Sequence, residues 1–207
     1  GTLLNTLTDL ADAGNRLCRK YGWPTHERQA YRYFVGNGIP KLVERLAPAD
    51  QRTPAVLEAA LADFKRDYGQ HLRDTTAPYP GIPEMLAKLK ANGVQLAVFS
   101  NKADALAKEV VKDYFGTQYF TIVRGQMTGV APKPAAEGTN ALLQALHADP
   151  ASTLYVGDSN VDVETAHNAN LPCCGAVWGF RTREELNAAG AEYLAENSDE
   201  LYDVIMK

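Results

Sequence analysis

The 207-residue chain is poor in several features that would each point to a function class. It has three cysteines, Cys18, Cys173 and Cys174. An odd number, two of them adjacent, is a poor disulfide framework. No Cys-x-x-Cys pair or Cys/His cluster has the spacing of a zinc site. The thiols therefore read as small apolar residues in a reducing cytoplasm. No apolar run approaches the roughly 18–20 residues that a membrane helix needs, and no secretory signal is visible in this stretch. Positive charge is not in excess: 21 Lys and Arg against 25 Asp and Glu give a net charge of −4. With the two signs interspersed, neither a nucleic acid nor an anionic membrane is expected as a partner. His26, His71, His147 and His167 lack metal or triad spacing and read as surface or capping residues. Internal repeats and low-complexity segments are also missing. The chain opens with Gly rather than Met, so its natural start is expected upstream.

What is present is ordinary globular composition, 45% hydrophobic and 22% charged, in a length suited to one domain or to a domain with a sizeable insertion. Two textures divide it. Over 5–77 the periodicity is helical throughout. Leu7, Leu10, Ala11, Gly14, Leu17 and Cys18 share one face of a first helix, and Thr6 with Asp9 resembles a capping box with a shorter acid. Gly22-Trp23-Pro24 breaks that helix. Further helices are expected over 27–34, over 40–46 and from Pro54 onward, the last carrying Val56, Leu57, Ala60, Leu61, Phe64 and Tyr68 on one side. Tyr31, Tyr33 and Phe34 read as packing residues, and 66–74 as a solvated helix end. The proline-rich stretch 77–83 is a stiff connector. After it, strands over 95–99, 121–124, 153–156, 175–177 and 192–194 alternate with helices over 83–92, 104–115, 135–146, 161–170, 183–189 and 199–206. That alternation predicts an α/β fold with a parallel sheet covered by helices on both faces.

In such sheets the ligand crevice lies beyond the carboxyl ends of the strands. The first of these strands is followed by Ser100, Asn101 and Lys102, and the second leads through a turn to Lys133-Pro134. The third is followed by Gly157, Asp158, Ser159, Asn160 and Asp162, the fourth by Trp178, Gly179, Phe180 and Arg181. Asp158 and Asp162 sit one helical turn apart, close enough to repel unless a cation or proton relieves them. Hard oxygen ligands in that position suit Mg²⁺, which keeps several waters; equally, Asp158 could cap the helix and Asp162 complement its dipole. Ser100 and the backbone N–H groups near it suit an anion, though alone Ser100 reads as a plain N-cap; Lys133, alone a solvated surface residue, would bring a positive charge to that anion.

In order and spacing, the stretches VFSN (98–101), PKP (132–134) and GDSNVD (157–162) resemble the later motifs of the haloacid dehalogenase superfamily, in its phosphatase branch with a helical cap. PYPGIPEML (78–86) resembles that family's return from cap to core, and FVGNGIPKLVERL (34–46) the cap of its phosphoglycolate phosphatases. Gly1-Thr2-Leu3 matches the tail of the family's Asp-x-Asp-Gly-Thr motif. The two aspartates, and the central strand that carries them, are then expected ahead of Gly1. The resemblance implies a Rossmann-like core over 1–4 and 78–207 with an inserted all-helical cap over 5–77.

It also implies roles. The first missing Asp would attack phosphorus and the second would act as acid and base. Asp158 would bind Mg²⁺; Asp162 would hold the metal through water or fix Lys133. Lys133 and Ser100, with Asn101 and Thr2, would hold the phosphate. Arg32, Lys41 and Arg45 read first as solvated helix residues, but one of them or the Gly36–Gly38 turn could meet the carboxylate of a substrate such as phosphoglycolate; Trp178, Phe180 and Arg181 could wall the way in, the aromatics reading first as core packing. The expected partner is a small phosphorylated metabolite, and the expected state a cytoplasmic monomer or homodimer. The alternatives are a phosphosugar mutase, another small-metabolite phosphatase, or a non-catalytic phosphate-binding protein if the chain begins at Gly1.

Overall fold

A computed structural model describes residues 1–207. The chain divides into two compact units, one of Leu4–Ala77 and one of Gly1–Leu3 with Pro78–Lys207.

The first unit is helical: α1 (Leu7–Tyr21), α2 (Arg28–Phe34), α3 (Ile39–Leu46) and α4 (Pro54–His71), with the two-residue strands β1 (Leu4–Asn5) and β2 (Ala77–Pro78) paired at its ends. Leu10, Leu17, Tyr31, Leu42, Phe64 and Tyr68 form its interior, as helical periodicity of the apolar positions requires. Gly22, in the left-handed conformation, closes α1. Pro54 opens α4, where the Thr53 hydroxyl accepts from the Val56 N–H. Within 66–74 only Tyr68 and Leu72 are buried; the rest is exposed or half-buried, as its polarity implied. Tyr31 is buried but Tyr33 is half exposed, and the His26 ring packs edge-on against Phe34 rather than standing in solvent.

The expected capping box at α1 does not form. Thr6 makes no side-chain capping bond. Asp9 instead turns inward and accepts four hydrogen bonds, from the N–H and O–H of Thr75 (2.9 and 2.5 Å) and of Thr76 (2.9 and 2.7 Å). A buried carboxylate has to be satisfied, and the segment following α4 supplies four donors, which a cap could not. Burial alone would raise the Asp9 pKa; these bonds outweigh it and hold it below the usual carboxylate value.

The second unit alternates as expected: α5 (Ile82–Ala91), β3 (Leu96–Ala103), α6 (Asp104–Phe115), β4 (Phe120–Gln126), α7 (Glu137–Leu146), β5 (Tyr155–Gly157), α8 (Asn160–Asn168), β6 (Cys173–Ala176), α9 (Arg183–Ala188), β7 (Tyr193–Ala195) and α10 (Ser198–Ile205). All strand pairs are parallel. They form two ladders, β3-β4 and β5-β6-β7, rather than one continuous sheet. No strand within 1–207 bridges the two ladders, and the consequence is visible in burial. The central strand β6 is buried at all four residues. β3 and β5, each with one neighbour, leave Val98, Phe99, Tyr155 and Val156 only half-buried. A small core of Leu143, Val163, Ala166, Leu171, Cys173 and Leu186 packs α7, α8 and α9 onto β6. All three cysteines are free and buried; burial pushes the Cys18 and Cys174 thiols up to about 11, leaving them protonated and unreactive at neutral pH.

Candidate active site

The strand β3 does not end at Phe99 as its apolar run implied. It continues to Ala103, but pairing jumps from Phe99 opposite Arg124 to Ala103 opposite Gln126. Three residues, Ser100, Asn101 and Lys102, therefore face only Gly125, a bulge that takes their backbone out of regular pairing. The Ser100 hydroxyl accepts from the Lys102 N–H at 3.1 Å, turning the bulge tightly. Asn101 spends its amide on the backbone of Lys133: its Oδ1 accepts from the Lys133 N–H at 2.9 Å and its Nδ2 donates to the Lys133 carbonyl at 3.3 Å. That reciprocal pair makes the Asn101 side chain an anchor for Lys133.

Lys133, joined to Pro134 by a cis peptide bond, is one-tenth exposed and donates to Asp162 Oδ1 at 2.6 Å. Its ammonium also lies 5.8 Å from the Phe99 ring centroid. Burial alone would lower the lysine's pKa; the Asp162 carboxylate, with Tyr155 and Asp158 nearby, reverses this and holds it well above the ordinary value. The Tyr155 hydroxyl, pushed up to about 12 chiefly by burial, stays neutral beside the ammonium.

The two roles weighed for Asp162 separate in this geometry. Its Oδ2 accepts from the Asp158 N–H (3.1 Å), the Ser159 N–H (3.1 Å) and the Ser159 hydroxyl (2.7 Å). Ser159, not Asp158, is the N-cap of α8, and it shares a complete capping box with Asp162. Three donors thus crowd Oδ2, while Oδ1 meets the Lys133 ammonium. Burial by itself would raise the Asp162 pKa; Lys133 and Ser159 together bring it below the usual value.

Asp158 has a different environment. Its Oδ1 accepts from the Thr2 hydroxyl at 2.8 Å and its Oδ2 from the Phe180 N–H at 3.0 Å, and the Gly1 nitrogen lies 3.5 Å from Oδ1. An ionised carboxylate has about four acceptor positions, so Thr2 and Phe180 leave capacity for a further ligand. No three His, Cys, Asp or Glu side chains gather as a protein-only metal cage. The donor set does fit Mg²⁺, which is commonly held by one or two carboxylates and keeps its remaining waters.

Thr2, Asn101, Lys133, Asp158 and Asp162 thus form one continuous hydrogen-bonded network at the strand ends, with Ser100 adjoining it. Sequence reasoning did not reach Tyr155 and Phe99 as neighbours of Lys133. Their only signal was position, on the strands directly before the acidic and Ser-Asn motifs. Trp178 donates its indole N–H to the Thr2 carbonyl at 3.0 Å, while Phe180 and Arg181 are buried, as core packing of the aromatics requires. In the helical unit, Lys41 pairs with Glu44, Arg45 is spent on the Tyr33 and Phe34 carbonyls and Asn37, and Arg32 is half-buried on α2.

A family model described as haloacid dehalogenase-like hydrolase matches residues 1–176. The chain belongs to that family. Among curated relatives, a phosphoglycolate phosphatase of Cupriavidus necator is 31% identical over 97% of this chain and 87% of its own length. One from Chromobacterium violaceum is 29% identical over 99% and 92%. Among solved structures, a Lactobacillus delbrueckii protein provisionally assigned as a phosphoglycolate phosphatase superposes with a TM-score of 0.93 at 27% identity, covering 99% of this chain and 94% of its own. No helix of this member of the hydrolase family is long and apolar enough to cross a membrane.

Proposed function

We propose that this hydrolase is a Mg²⁺-dependent phosphomonoesterase acting on 2-phosphoglycolate or a similarly small phosphate ester. The observation that carries the reading is the buried Lys133–Asp162 pair, 2.6 Å apart, beside a second buried carboxylate, Asp158. A cation kept in so dry a setting is worth far more to a dianionic phosphoryl group than one in water. The shared name of the relatives supports the choice of substrate.

In this reading Lys133 binds a phosphoryl oxygen, and Asp162 keeps the ammonium charged and aimed. The Ser100 hydroxyl and the bulge N–H groups orient the remaining oxygens. Asp158 would hold Mg²⁺, oriented by Thr2 and the Phe180 N–H. The ion, when bound, neutralises charge on the transferring group. The resemblance assigns the nucleophilic aspartate, which would carry the phosphoryl group as an aspartyl-phosphate, and the acid/base aspartate to positions just ahead of Gly1. The proximity of Gly1 to Asp158 is consistent with that assignment.

The test is phosphate release by the full-length protein from a panel of small phosphate esters that includes 2-phosphoglycolate, with and without Mg²⁺. Turnover that needs the metal and is fastest on 2-phosphoglycolate is expected. Metal-independent turnover, or none on any ester, would overturn the reading.

A further inference from the structure

The turn Trp178–Arg181 follows β6 and is packed around Asp158 and Thr2. The Arg181 N–H donates to the Asp158 carbonyl at 3.1 Å and the Phe180 N–H to its Oδ2 at 3.0 Å. At Gly179, an added Cβ would stand 2.1 Å from the Asp158 Cβ and 2.7 Å from its Cγ. Only a residue without a side chain lets the turn lie flat against that aspartate. The Gly179 φ is not in the left-handed region, so the requirement is for space. Trp178 reaches past Asp158 to the carbonyl of Thr2, whose hydroxyl bonds Asp158 Oδ1. Four consecutive residues therefore hold the aspartate from its backbone and one carboxylate oxygen, and hold the partner of the other oxygen.

We infer that Trp178–Arg181 is a positioning clamp for the catalytic centre, with Trp178 and Gly179 as positioning residues that fix the Asp158 carboxylate and the Thr2 segment in one geometry. The inference rests on the reading of Asp158 as the ligand of Mg²⁺. None of the four residues needs to touch substrate. Their effect passes through Asp158, whose carboxylate must keep one orientation for its unshared oxygen positions to face the metal, and through Thr2, whose backbone Trp178 holds. A misplacement of about 1 Å in such a centre typically costs on the order of a hundredfold in rate.

The experiment compares full-length wild type, Gly179→Ala, Trp178→Phe and Asp158→Ala by steady-state kinetics, by calorimetric titration with Mg²⁺ alone and by thermal melting. Gly179→Ala is expected to lower kcat about a hundredfold and to weaken Mg²⁺ binding about tenfold, with KM near wild type and the folded state retained. Trp178→Phe removes the indole N–H with part of the ring and adds no atom that could clash, so it keeps the test open if the alanine variant fails to fold. Its expected loss is about tenfold in kcat, again with KM near wild type. Wild-type kcat and Mg²⁺ affinity in both variants, or losses that merely follow the folded fraction, would overturn the clamp. Wild-type turnover by Asp158→Ala would instead overturn the reading beneath it, so the two failures are distinct.

Discussion

The chemistry of single residues turns on which partner satisfies each buried charge. Asp162 and Lys133 are each about nine-tenths buried, so removing one leaves the other without compensation. Asp162→Asn is expected to destabilise the fold by about 3–5 kcal/mol, measured by urea unfolding at pH 7. A change under about 1 kcal/mol would mean that the ammonium is solvated. Asp9 gives a pH-dependent case. Its folded pKa lies below its ordinary value, so folding favours the ionised form. Its contribution is complete above about pH 4, the ordinary carboxylate range, and is lost as pH falls through the lower folded value. Wild type should therefore lose stability below about pH 4 more steeply than Asp9→Asn, which at pH 7 should already be weaker by about 1–3 kcal/mol; parallel losses of stability in the two proteins on acidification would refute this. Sequence made the types and order of the site residues legible, because Ser100, Lys133, Asp158 and Asp162 each come after an apolar run, although Ser100 lies within β3. It could not say that Asn101 would bind the Lys133 backbone, or that Asp9 would leave the α1 terminus for Thr75 and Thr76. Both outcomes depend on contacts between segments more than 30 residues apart.

Among elements, helices were the more legible. The limits of α6 are those the periodicity predicts, because Asp104 in its first turn and Gly116 after its last residue mark them locally. Strands were less so: β3 overran its apolar segment by four residues. What extends it is Gly125 on β4, a tertiary partner that no local pattern names. A Cβ at Gly125 would lie 2.4 Å from the Lys102 carbonyl oxygen and 2.6 Å from the Asp104 Cα, both backbone atoms with little freedom to yield. The Gly125 N–H also donates to Asp104 Oδ1 at 2.9 Å, fixing the start of α6 against β4. Gly125→Ala is therefore expected to force the bulge open, costing about 1–3 kcal/mol of stability together with turnover. A variant with wild-type melting temperature and kcat would show that the bulge relaxes freely.

For the whole molecule, 3.6-residue periodicity gives way near residue 77 to alternating strands and helices, and the chain divides into compact units of 4–77 and of 1–3 with 78–207. Apolar runs specify strands but not their neighbours, so the division into two ladders was legible only through the resemblance, which expects the central strand ahead of Gly1. The helical unit contains its own interior, with Tyr31, Leu42, Phe64 and Tyr68 almost wholly buried, so the isolated 4–77 segment is expected to fold and melt cooperatively by circular dichroism; a featureless melt would contradict this. The account as a whole depends on one dry cation placed to meet a phosphate ester. Its most direct test is kcat for phosphate release from 2-phosphoglycolate by full-length Lys133→Met with Mg²⁺ present, on protein whose near-ultraviolet circular dichroism matches wild type. The account predicts a loss of about a thousandfold or more; turnover within tenfold of wild type would contradict it.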